Sequence, residues 1–194
     1  MANRGSEGPV SAARQHPAPR AASFAALAIL ASGCSASPGG IESDGSQSLL
    51  PVVLEGAVDS PEQLAFEALE GLSSGDVRRL ERIRLTEYEH NQLVYPQLPA
   101  SAPEVNHPAD LAWANIQRRN DRARGRLLAS YRGHGLSLLG IECRAEPEYF
   151  PSFRVLRDCW VSFTVDREPV DPVQLFRYIL DWDGQHKIFR YYDD

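Results

Sequence analysis

The stretch near the C-terminus, "LFRYILDWDGQHKIFRYY", constrains the fold more than any other part of the chain. Asp183-Gly184 is the kind of dipeptide that a two-residue type I′ turn needs, because both central residues take positive φ. The flanking residues are β-branched, aromatic or long, so the segment predicts an antiparallel hairpin. Counting outward from the turn pairs Trp182 with Gln185, Leu180 with Lys187, Tyr178 with Phe189 and Phe176 with Tyr191. Side chains alternate across a strand, so these four pairs share one face, strongly aromatic and in need of cover. The other face carries Ile179/Ile188, Asp181/His186 and Arg177/Arg190. A lone hairpin is marginal in water, so the rest of the chain must supply more strands and a covering layer.

Two further strands precede it. Residues 136–146 put Leu139, Ile141 and Cys143 on one face, and residues 153–165 put Phe153, Val155, Cys159, Val161, Phe163 and Val165 on one face. A turn centred on Pro151 sets Cys143 opposite Cys159. Two readings follow: a disulfide closing a loop of about 15 residues, which would stabilise the fold by roughly 3 kcal/mol, or two buried free thiols. Arg157 is also left open. Strict alternation points it inward, where a cation demands an acidic partner or an anionic ligand. A bulge would instead turn Arg157 to solvent and Asp158 inward.

Helices occupy the region upstream. Ser60 as N-cap, Pro61 at the first helical position and Gln63 two residues later form a capping box, followed by Leu64, Ala65, Ala68, Leu69 and Leu72 at helical spacing. Gly71 and "SSGD" end this helix, and a second starts at Asp76 with Val77, Leu80 and Ile83 inward and Arg78, Arg79 and Arg82 outward. Thr86 and Glu89 form another box, opening a fresh helix or a kinked continuation that stops at Pro96. After a proline-rich connection, a long helix runs from Pro108 to about Tyr131. Its apolar stripe, Trp113, Ile116, Ala123, Leu127 and Tyr131, has one polar break at Asn120. Arg118, Arg119, Arg122, Arg124 and Arg126 read as a solvated face.

The expected fold class is therefore α+β, with N-terminal helices packed on a curved four-stranded antiparallel sheet. The order of elements, together with "DWDGQHKIFRYY", resembles the NTF2-like (SnoaL-like) superfamily over residues 60–194. The resemblance implies a sheet curved around a long helix with a conical pocket, used by some members for catalysis and by others for binding or dimerisation. An early strand pair between the second and third helices is missing from the pattern. The candidate pocket residues are Arg157, Asp158, Trp113, Tyr88 and Tyr178. Tyr131 and Trp182 complete an aromatic set that core packing alone would also produce.

The N-terminus reads as an address. Arg4, Arg14 and Arg20 precede the apolar run "AASFAALAIL", far short of the roughly 20 residues a spanning helix needs. "ILASGCS" then resembles the lipobox of bacterial lipoproteins. That implies a signal peptide over 1–33, cleavage before Cys34, and a lipid on Cys34 that anchors the protein in the cell envelope. The alternative is an ordinary signal peptide with an incidental cysteine. Residues 34–58 begin with a Gly/Ser/Pro-rich stretch and read as a flexible tether, and residues 59–194 read as the folded domain.

Charge narrows the function. Residues 34–194 hold 17 basic and 25 acidic residues, a net charge of −8. So acidic a domain is poorly suited to nucleic acid, whose binding rests on neutralising phosphates. No cofactor motif and no metal-ligand spacing occurs. Glu87-x-x-His90 reads as a surface pair, His107 with Asp110 reads equally as a helix cap or as an acid–base pair, and His134 reads as a turn residue. The expected function is a lipid-anchored, non-catalytic domain that binds a small apolar or anionic ligand or another protein, with a homodimer as one form of the latter. The alternative is an enzyme of the ketosteroid-isomerase or SnoaL type, using a pocket Asp or Tyr as general acid or base.

Overall fold

The computed structural model describes residues 51–193. The expected signal peptide, Cys34 and most of the expected tether lie outside them. Among the described residues no helix is long and apolar enough to cross a membrane.

Helix α1 spans Pro61–Ser74. Ser60 Oγ accepts the Gln63 N–H at 3.1 Å, and Gln63 Oε1 accepts the Asp59 N–H. Gly71 does not end this helix. An added Cβ there would lie 2.7 Å from Leu80 Cδ2, so Gly71 is the point where helix α2 (Val77–Arg82) packs closely. The stop is Gly75, with φ 72. Leu80 and Ile83 are buried as expected, whereas Val77 sits exposed in the first turn of α2.

The segment from Thr86 becomes a single π turn, Glu89–Val94, followed by two 3-10 turns, Tyr95–Gln97 and Pro99–Ser101. The Thr86/Glu89 box is reciprocal: Glu89 N–H donates to Thr86 Oγ1, and Thr86 N–H donates to Glu89 Oε2. Pro96 has no N–H to extend a regular helix, and the Tyr95 N–H reaches back five residues to His90 O. Helix α3 then runs Ala109–Tyr131. Its polar break is its docking point, because Asn120 donates to Phe189 O at 3.3 Å and accepts the Tyr191 N–H at 2.9 Å.

The sheet is antiparallel, with four long strands in the order β1 (Leu136–Tyr149), β2 (Arg154–Val165), β4 (Val173–Trp182) and β5 (Gln185–Tyr191). A two-residue strand, β3 (Glu168–Pro169), folds back on β2 across Asp166-Arg167, both at positive φ. Asp183 and Gly184 also take positive φ, making the type I′ turn between β4 and β5. The register Trp182↔Gln185, Leu180↔Lys187 and Phe176↔Tyr191 is the expected one, but Tyr178 pairs with Arg190 rather than Phe189. This pair of compensating shifts changes the faces. Phe176 and Tyr191 join Ile179 and Ile188 under α1 and α3, while Tyr178, Leu180, Trp182 and Phe189 pack with Leu54, Leu85, Val94, Phe153 and Val155. Both faces of the hairpin are covered, which buries Asp181, His186 and Lys187 as well.

Three other details differ from strict alternation. A register shift between Leu138 and Gly140 leaves Leu139 exposed. Phe153 and Val155 belong to a different cluster from Cys159, Val161 and Phe163. Residues 51–58, grouped with the tether on composition, lie on the sheet edge. Val58 exchanges both backbone hydrogen bonds with His186, and the Gln185 amide holds Leu54 N–H and Val52 O, each at 2.8 Å. Leu54 supplies the buried side chain that keeps this strap in place. Cys143 and Cys159 face each other across β1 and β2 and are joined by a disulfide.

Candidate functional site

The site begins with a kink in β2. Asp158 has φ 54, a left-handed conformation that costs a non-glycine residue energy but that Asp tolerates better than most. Its own side chain holds the kink, since Oδ1 accepts from Trp160 Nε1 at 3.0 Å and from Gln174 Nε2 at 2.7 Å. Across the kink Cys159 turns into the core, while Arg157 stays on the open side with 45% of its side chain exposed. Of the two alternatives, Arg157 takes the solvent side that the bulge reading gave it, but Asp158 stays half-buried at the cleft. The pairs Cys143↔Cys159 and Ala145↔Arg157 run past it without a register shift, so the left-handed turn at Asp158 rather than an inserted residue changes the face. The irregular pairing of β4 at Tyr178 lies directly opposite, because Arg157 pairs with Tyr178.

These two irregularities open a cleft of about 270 Å³ lined by Arg157, Asp158, Arg177, Tyr178, Gln174, Tyr192 and Ala145. Gln174 and Tyr192 are also walls of a second cleft, about 490 Å³, between α3 and strands β2 and β4. Arg126, Leu127, Ser130 and Tyr131 enter it from α3, and Trp160 from β2. Together the two linings carry three guanidinium groups, Arg126, Arg157 and Arg177, against one carboxylate, Asp158. That balance is opposite in sign to the net −8 of residues 34–194.

The cations are positioned but lightly engaged. The carboxylate nearest Arg157 is Glu148, at 3.9 Å with half its side chain exposed. The Arg177 guanidinium lies 5.7 Å from the Tyr178 ring centroid, and the hydrogen bond to Tyr178 holds it more firmly protonated. Arg144 lies over the outer side of Trp160 at 4.6 Å and steadies that wall. Burial pushes the Tyr131 phenol up, so it stays a neutral donor. Guanidinium forks match carboxylate, sulfate and phosphate oxygens, and aromatic walls fit planar or apolar groups. Neither cleft has a histidine or a thiol in its lining.

The expected pocket residues therefore separate. Arg157, Asp158 and Tyr178 share one cleft, and Tyr131 lines its neighbour. Trp113 lines neither and packs against His90 with ring centroids 5.3 Å apart. Tyr88 is exposed at the start of the π turn, and Trp182 stacks on Phe153. Arg177, Gln174, Tyr192, Trp160 and Arg126 were missed. Trp160 carried a signal, because it is a large aromatic on the polar parity of β2.

Other titratable groups are structural. His90, expected on the surface, is fully buried among Tyr95, Trp113 and Phe189. Its Nδ1 lies 2.6 Å from Asn91 Oδ1, and its Nε2 has no hydrogen-bond partner among the described residues. His134 pairs with Asp166 at 2.8 Å in exposed turns. Lys187, the single lysine of the chain, is sealed against Glu89. Among the described residues no group of three or more His, Cys, Asp or Glu side chains is placed to hold a metal ion.

Comparison of the chain with protein-family models, with curated proteins and with solved structures gives no match.

Proposed function

We propose that the protein is an exported lipoprotein, anchored to a bacterial membrane through a lipid on Cys34, whose folded domain binds a small anionic ligand without transforming it. The observation that carries the binding half is the cleft in which Arg157 and Arg177 stand beside Tyr178 and Tyr192, with Arg157 partly exposed and its nearest carboxylate, Glu148, at 3.9 Å. The three helices on an antiparallel sheet support the NTF2-like resemblance. The place of its early strand pair is taken by a single parallel bridge, Arg84↔Ile188, and by the π turn.

Two measurements test this. Radiolabelled palmitate should enter the wild-type chain in a bacterial host and not the Cys34→Ala chain; equal labelling of both would remove the anchor. Titration with ethyl phosphate, followed by tryptophan fluorescence because Trp160 walls the adjoining cleft, should saturate. It should weaken at least tenfold in an Arg157→Ala/Arg177→Ala chain, since hydrogen bonds to charged groups contribute about 1.5–3 kcal/mol. Unchanged binding in that chain would rule the cleft out.

A second reading has one observation in its favour: Asp158 and Tyr178 line the same cleft, as a general base and a hydrogen-bond donor would in an isomerase-type enzyme. It predicts turnover that disappears in Asp158→Asn while ligand affinity stays.

A further inference from the structure

Building on that anion-binding reading, we propose that the ligand is an anionic amphiphile, its head group between Arg157 and Arg177 and its alkyl chain in an apolar groove that continues the cleft. The groove has a volume of about 280 Å³, and its walls include Leu98, Pro99, Phe150, Val155, Tyr178 and Phe189. Three links join it to the cationic cleft. Tyr178 is a wall of both. Val155 lines the groove and Arg157 the cleft, two residues apart on β2 before the kink, or roughly 7 Å along the strand. Glu148 stands at the junction, lining the groove and approaching Arg157 at 3.9 Å.

The groove is preformed. Leu98 and Pro99 are held over the sheet by the two 3-10 turns. Tyr95 OH donates to Ala100 O at 3.1 Å, and Gln97 Oε1 accepts the Ser152 N–H at 2.9 Å, tying the turns to the β1–β2 connection. A rigid apolar groove beside a pair of cations is complementary to a molecule with an anionic end and an apolar end. Neither a purely polar anion nor a neutral hydrocarbon would use both surfaces.

The test uses the full chain carrying Cys34→Ser, so that no attached lipid competes, and a series of alkyl phosphates from ethyl to decyl below micelle-forming concentrations. Calorimetric affinity should rise about fourfold for each CH₂ seated in the groove and then level off when it is full. Arg157→Ala/Arg177→Ala should lower every affinity by a common factor and leave the slope. Ala100→Phe, which fills the groove, should abolish the slope and leave ethyl phosphate binding as it was. Glu148→Gln, which removes the competing carboxylate, should tighten the whole series.

If ethyl phosphate does not bind, the anion site itself is wrong and the proposal falls with it. If it binds but affinity is flat along the series, the anion site stands and the amphiphile is overturned. A slope that survives Ala100→Phe overturns it too, because the chain then lies elsewhere. Phosphatidylglycerol vesicles separate the sources of such a ligand. Arginine-dependent sedimentation with them assigns a bilayer lipid, and binding of monomeric alkyl phosphates alone assigns a free amphiphile.

Discussion

Near the Asp183-Gly184 turn, Lys187 and Glu89 are both out of reach of water; toward the other end of β4, Arg157 and Arg177 face an open cleft. The side-chain chemistry of the two regions is alike, cations near carboxylates and aromatic rings. What differs is whether the chain supplies every partner. Lys187 Nζ donates to Glu89 Oε2 at 2.7 Å, Glu89 Oε1 at 3.1 Å and Glu55 O at 2.6 Å. Glu89 further accepts the backbone N–H groups of Thr86 and Glu55. Burial lowers the hold of Lys187 on its proton, and Glu89 opposes that. Such an arrangement joins strap, π turn and β5, and leaves no valence for a ligand. Arg157, with one carboxylate at 3.9 Å, is only partly satisfied by its own protein.

The sharpest way to break this comparison is to remove one member of the sealed pair. Glu89→Leu strands a buried ammonium and should cost about 3–5 kcal/mol in urea unfolding, whereas Glu89→Leu with Lys187→Met should recover most of the loss. A cost under about 1 kcal/mol for the single change would mean that the pair is not sealed. A smaller effect comes from His90 in the same buried region. Burial depresses its pKa below the ordinary 6.5, opposed by the hydrogen bond to Asn91 and by Glu87. The unfolded chain therefore binds a proton that the folded chain refuses. Stability is full above about pH 6.5 and falls as the pH drops from there toward the folded pKa, with a slope of up to about 1.4 kcal/mol per pH unit. His90→Phe should remove that part of the acid sensitivity, as read from unfolding curves at several pH values. The smallest effect belongs to the open region: Arg157→Ala and Arg177→Ala should each change stability by no more than about 0.5 kcal/mol. A larger loss would make these arginines structural and erase the contrast.

Much of the scaffold was legible locally. Ser60 with Gln63, Asp76, Thr86 with Glu89, and Asp183-Gly184 mark their elements because a cap or a tight turn is decided within four or five residues. The candidate site was less so. Asp158 and Arg157 could be named as the place where alternation might fail, but the failure depends on Gln174, sixteen residues away, accepting the role of donor. The burial of His90 was hidden for the same reason, since Trp113 and Phe189 reach it from other elements.

Composition, periodicity and capping by themselves determined an α+β chain with an antiparallel hairpin at its end, an acidic domain unsuited to nucleic acid, and a leader pattern ending in Cys34. Those properties are sums or short-range patterns, so one-dimensional information carries them. Which cation is sealed and which is open, and which aromatic lines a cleft and which fills the core, was decided only when strands and helices met. A one-residue shift in register moves a side chain from one face of a sheet to the other, as the shifts around Tyr178 do. The left-handed turn at Asp158 has the same effect and is held by Gln174 from another strand.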